Sequence, residues 1–133
     1  MCFSAEASFI VGGTLLVVGA ATIRKTYHRK DLPIALIPLI FALQQLVEGA
    51  LWVSLTDGYM VQTQFWLSNL YGVFIGIIWP LYAPFAVYSA ETDLKRKKII
   101  TVIGVVGLGL AIYTTIGLAN QPIVAEIVNH SIR

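Results

Sequence analysis

Four stretches without a charged residue, 7–23, 32–47, 58–90 and 99–125, take up most of this 133-residue chain. A helix needs about 20 predominantly apolar residues, at 1.5 Å each, to cross about 30 Å of hydrocarbon. Four such spans fit, at about 5–23, 33–55, 66–90 and 99–119. Composition agrees. Charged residues make up 12% of the chain, against about a quarter in a soluble domain, and 57% of the residues are hydrophobic. The mean hydropathy is +0.78. The fold class predicted is all-α, an integral membrane helical bundle of about four transmembrane helices. It forms a single transmembrane domain over residues 1–133 and ends in a short amphipathic segment.

The charges sit between the spans. Arg24, Lys25, Arg29 and Lys30 lie between the first and second, and Lys95, Arg96, Lys97 and Lys98 between the third and fourth. The loop between the second and third has no Lys or Arg. Positively charged loops stay cytoplasmic, so loops 24–31 and 91–98 are expected on the cytoplasmic side of a cell (inner) membrane, with both termini outside. Topology accounts for both clusters, so nucleic acid is not an expected partner; anionic lipid headgroups are the expected contact. The N-terminus lacks a basic region before its apolar run, so the first span is expected to be retained rather than cleaved. Cys2 is the only cysteine, which excludes an internal disulfide.

In the first span Ser4 is a candidate N-cap, Glu6 suits the dipole of the first turn, and Ser8, Gly12 and Gly19 form a small-residue face. In the second, Asp31 is a candidate cap, Pro33 sits in the first turn, and Pro38 predicts a kink that frees the carbonyl of Ile34. In the third, Ser68, Gly72, Gly76, Pro80 and Pro84 recur every four residues. That stripe predicts close packing and a proline kink. It is open to two readings, a kinked packing stripe or a discontinuity lining a polar pocket. Residues 56–65 are expected to form an outer loop or interfacial stretch, with Trp66 and Tyr71 at the headgroup belt. After the fourth span, Gln121-Pro122 opens a segment with Ile123, Val124, Ile127 and Val128 on one face, expected to be an interfacial helix or the stub of another element.

Glu48 is the one acidic or basic residue set within a span rather than at its edge. A charge near the bilayer core costs about 2.5–3.5 kcal/mol on insertion scales, so such a residue is neutralised, paired or used. Gln44, Glu48 and Trp52 share a helix face at i, i+4 and i+8, and Gln45 joins at i−3. Glu48 stands nine residues from Asp57, which is about 13 Å into the outer half. No Lys, Arg or His lies within a span. Its expected state is a neutral hydrogen-bonded acid, or a carboxylate facing water, a metal or a partner chain. A structural alternative is a polar clamp between Glu48, a Gln and carbonyls freed in the third span.

Several chemistries lack their residues. No intramembrane Lys is present for a retinal Schiff base, and His28 and His130 lie outside the spans, which leaves no bis-histidine haem site. Three clustered ligands for hydrolytic zinc are missing, although Cys2, Glu6 and Glu48 on one side are weak metal candidates. No phosphate-binding loop is present, and the sequence names no cofactor.

Three segments carry a resemblance: Met1-Cys2-Phe3-Ser4-Ala5 followed by Ala7-Ser8; Gln44-Gln45-Leu46-Val47-Glu48-Gly49 with Trp52; and Trp79-Pro80 and Pro84 leading to Glu91. On these the chain resembles an uncharacterised family of multi-span bacterial membrane proteins, over most of its length. The resemblance implies a helical membrane fold and singles out Cys2, Gln45, Glu48 and Glu91; it brings no assigned activity. Members of that family run longer, which leaves a short member, a fragment or a chain completed by association as open readings.

The function expected is a non-enzymatic membrane module, an accessory subunit or a self-associating binding protein. It would carry a polar pocket around Glu48, Gln44, Gln45 and Trp52 and pack through the Gly and Ser stripe of the third span. Its expected partners are the lipid bilayer and further copies or other membrane subunits. The alternative is a small transporter or channel using Glu48 as a proton or cation site; a weaker one is an enzyme or metal-binding protein using Cys2 with the carboxylates.

Overall fold

The computed structural model describes residues 4–58, 60–128 and 131–132. Its helices are α1 (Ala5–Arg24), α2 (Leu32–Ala35), α3 (Ile37–Thr56), α4 (Val61–Val73), α5 (Trp79–Ala90) and α6 (Leu94–Asn120). A 3-10 turn at Arg29–Asp31 leads into α2, and a π-helical turn at Phe74–Ile78 joins α4 to α5. These assemble into four continuous helical stretches, Ala5–Arg24, Arg29–Thr56, Val61–Ala90 and Leu94–Asn120, each long and apolar enough to cross a membrane.

The Ser4 hydroxyl accepts the N–H of Ala7 at 3.2 Å and starts α1 as a capping residue should. The buried face of α1 is Ser8, Gly12 and Gly19, and α1 lies along α3. A Cβ on Gly12 would come within 3.1 Å of Leu46, and one on Gly19 within 2.7 Å of Leu39, so the small face sets the spacing of the pair. The second stretch is interrupted at Leu36, between α2 and α3 and two residues before Pro38. The Thr22 hydroxyl crosses from α1 to the carbonyl of Ala35 at 2.9 Å and secures that break. Asp31 makes no side-chain cap; the 3-10 turn carries the chain into α2 instead.

The third stretch begins at Val61, earlier than the interfacial loop expected over residues 56–65. Gln64 explains the early start, because its amide donates to the carbonyl of Ser54 at 2.9 Å and binds the first turn of α4 to the end of α3. The fourth stretch likewise begins early, at Leu94, where the Asp93 carboxylate caps the N–H groups of Lys95 and Arg96 at 2.7 and 3.0 Å.

From Gly72 onward the four-residue stripe of the third stretch turns to α6 and the segment that follows it. Gly72 lies under Ile123, Gly76 meets Thr114, the carbonyl of Pro80 meets Gly107, and Pro84 approaches Gly104. Pro84 has no N–H to give the Pro80 carbonyl. Gly107, lacking a side chain, lets α6 cover that oxygen where a Cβ would collide with it. The stripe expected to mediate association between copies is thus occupied within the chain.

The C-terminal segment is not helical over its described residues, and Ile127–Val128 pairs antiparallel with Ser131–Ile132. Pro122 and the β-branched Ile123, Val124, Ile127 and Val128 favour that conformation. Asn69 holds the segment. Its amide donates to the carbonyl of Ile123 at 3.2 Å, and its side-chain oxygen accepts the Ile123 N–H at 3.0 Å. Ala125 then completes an apolar cluster with Leu51 and Trp52, packed by Ala5, Leu55 and Leu67. Few other large apolar side chains are buried among the described residues; those of α6 in particular point outward, on a helix long and apolar enough to cross a membrane.

Candidate functional site

Glu48 is the one charged-type side chain buried among the described residues, 1% exposed. Two donors converge on its Oε2. The Gln45 amide reaches it at 3.1 Å along the same helix, and the Tyr71 hydroxyl at 3.3 Å from α4. One bond is local to α3 and the other crosses helices, so the carboxyl fixes α4 against α3. Interhelical bonds of this kind are worth about 0.6–2 kcal/mol in a membrane.

One turn away, Gln44 takes a different partner. Its side-chain oxygen accepts the indole N–H of Trp79 at 2.5 Å. The Trp79 ring also packs on Phe41, with centroids 4.1 Å apart. Trp52, on the same face as Gln44 and Glu48, is 6% exposed and belongs to the apolar cluster with Leu51 and Ala125. The face is therefore graded: an indole rung at Gln44, a carboxyl–phenol rung at Glu48, an apolar seal at Trp52. Among the described residues no buried side-chain nitrogen or oxygen lacks a hydrogen-bond partner.

Sequence reading brought Glu48 and Gln45 together as they stand, and placed Gln44 on the right face with its partner unidentified. Tyr71, expected at the headgroup belt, instead turns inward to the carboxyl, while Trp66 remains exposed. The Gly–Pro stripe expected to offer carbonyls to Glu48 faces α6. Among the metal candidates Glu6 is exposed, Glu48 is enclosed and Cys2 lies outside the described residues. No group of three His, Cys, Asp or Glu is assembled among the described residues.

Glu91 has a local task. Its Oε1 accepts the N–H groups of Thr92 and Asp93 at 2.8 and 2.9 Å, and its Oε2 lies 3.7 Å from the Arg96 guanidinium. The two backbone donors, Asp93 first, and then the guanidinium hold this carboxyl below its ordinary range. It shapes the turn from α5 into α6. The Ser89 hydroxyl, two residues earlier, donates to the carbonyl of Lys30 at 2.9 Å, so the two basic clusters share one end of the bundle.

The cavities are apolar. A groove of about 460 Å³ between α5 and α6 is lined by Trp79, Pro80, Pro84, Ile103 and Val106 among others. It lies on the α6 side of the third stretch, away from Glu48. No curated protein and no solved structure matches the chain. Residues 1–133, the entire sequence, match the family described as "Family of unknown function (DUF6629)", and the chain belongs to that family.

Proposed function

We propose that the chain is a non-enzymatic integral membrane module, an accessory or self-associating subunit, whose polar centre is Glu48 with Gln45 and Tyr71. The observation that carries this reading is the enclosure of Glu48, 1% exposed and bonded both along α3 and across to α4. A carboxyl so placed stabilises one arrangement of helices. The topology proposed puts loops 24–31 and 91–98 in the cytoplasm and the Glu48 level in the outer half. The stripe of the third stretch is taken by α6, so association would use other outward surfaces or the Glu48 level itself.

A second reading has one observation in its favour. The π-helical turn Phe74–Ile78 lies between Tyr71 and Trp79, the partners of Glu48 and Gln44, and such turns are common where helices do work. On that reading Glu48 takes up a proton or cation. Reconstitution into liposomes with a pH-sensitive dye separates the two. The module reading expects no flux above empty vesicles, and weaker oligomers or partner complexes in mild detergent for Glu48→Gln. A flux that Glu48→Gln abolishes would replace it with the transport reading.

A further inference from the structure

A second outward groove between α5 and α6 holds about 360 Å³. Leu81, Phe85 and Tyr88 line it from α5, and Ile100, Gly104 and Leu108 from α6. Gly104, on the α6 wall, adds no side chain to the groove. One end is apolar. The other ends at Tyr88, beside the first turns of α6, which carry Lys95, Arg96, Lys97 and Lys98.

Lys97 is the half-buried member of that cluster. Its Nζ lies 4.8 Å from the centroid of the Tyr88 ring, which holds the ammonium at the groove's mouth. The two acidic groups next to the cluster on its own side, Glu91 and Asp93, are committed to the backbone. Glu91 accepts from Thr92 and Asp93, and Asp93 caps Lys95 and Arg96. Arg96 is drawn toward Glu91. The Ser89–Lys30 bond brings the other basic cluster, with Arg29 and Lys30, to the same end. An apolar trough opening beneath a positioned cation matches one class of molecule, with a hydrocarbon tail and an anionic head.

We propose that this groove binds an anionic phospholipid of the bilayer, with an acyl chain along α5 and α6 and the headgroup phosphate at Lys97. The groove supplies contact to any acyl chain, and the cation supplies headgroup choice. The proposal rests on the chain spanning the bilayer.

The test uses the full chain in nanodiscs of equal phosphatidylglycerol and phosphatidylcholine. After release into mild detergent, the lipids retained are counted by native mass spectrometry. Recovery of the chain in the nanodisc fraction reports on the membrane reading, and the headgroup ratio reports on the lipid site. Wild type should retain phosphatidylglycerol in preference to phosphatidylcholine, and Lys97→Gln should lower that preference about fivefold. Lys95→Gln, one residue into α6 and exposed, should leave it unchanged. Equal retention of both lipids by wild type overturns the proposal. So does an unchanged preference in Lys97→Gln, or an equal fall in both variants.

Discussion

Gly107 is where two backbones meet, and a single methyl there measures how closely they must. In the Gly107→Ala variant the new Cβ would fall on the carbonyl oxygen of Pro80. A carbonyl of the main chain cannot rotate aside as a side chain can, so α5 and α6 would have to separate locally. Overpacking of this kind costs about 1–3 kcal/mol. Better helix propensity returns at most about 1 kcal/mol. Relative to a Gly→Ala change that gains the same propensity and meets no neighbour, the expected loss is about 1–3 kcal/mol, roughly a 5- to 150-fold change in the folding equilibrium. Separation also uncovers the Pro80 oxygen, which Pro84 deprives of its helical partner. Gly109→Ala is the control, because nothing lies within 4 Å of a Cβ at that position on the same helix. Unfolding both variants in mixed micelles with rising dodecyl sulfate, followed by far-ultraviolet circular dichroism, gives the comparison. Gly107→Ala should unfold at lower detergent fraction and Gly109→Ala at or above wild type. A Gly107→Ala midpoint equal to that of Gly109→Ala would refute the close approach on which the packing of α5 against α6 rests.

Tyr71→Phe removes the hydroxyl that reaches Glu48 from α4 and should cost about 0.6–2 kcal/mol in the same titration; no loss would mean that the carboxyl does not bind the two helices together. Asn69→Ala removes both hydrogen bonds to Ile123, and protease added to detergent-solubilised protein should then cut within residues 121–126 faster than in wild type. Glu91 gives a pH dependence with a definite sign. Its folded carboxyl titrates below the ordinary value of 4.5, so its contribution to the turn is complete above that value and is lost as pH falls through the lower folded one. Amide resonances of Thr92 and Asp93 should move together with a midpoint below 4.5; a midpoint at or above it contradicts the bonds assigned to Oε1.

How legible all this was in the sequence depends on the range of each interaction. The uncharged runs gave four membrane-length helices, because hydrophobic length is a property of contiguous residues. Glu48 stood out for the same reason, and Gln45 came with it through i, i+3 geometry on one helix. Ser8, Gly12 and Gly19 correctly named the inner face of α1. The partners of that polar face were another matter. Tyr71 and Trp79 are amphipathic rings equally at home at a headgroup belt, and nothing in their spacing names the helix they face. The Gly–Pro stripe was visible, but which neighbour it served was not, since α3 and α6 both offered apolar surface. Thr114 and Gly107 settled it by fitting against Gly76 and Pro80. The non-helical end of the chain followed Pro122 and its β-branched neighbours, whose periodicity alone could equally be read as helical.

The π-helical turn has a consequence for how the third stretch can change. In a regular helix each residue advances about 100°, so two residues eight apart stand about 80° out of phase. A π turn absorbs one additional residue, and the pair then behaves as if seven apart, within about 20° of two full turns. Phe74–Ile78 is in that sense an angular correction, which aims both Tyr71 and Trp79 at α3. A version of this helix shorter by one residue in that turn could run as uninterrupted α-helix and keep both rings on target. A version longer by one would swing Trp79 away from Gln44, and with it the proline-bearing half that seats on α6. The third stretch therefore tolerates changes of length asymmetrically, and its irregular turn records the residue it can spare.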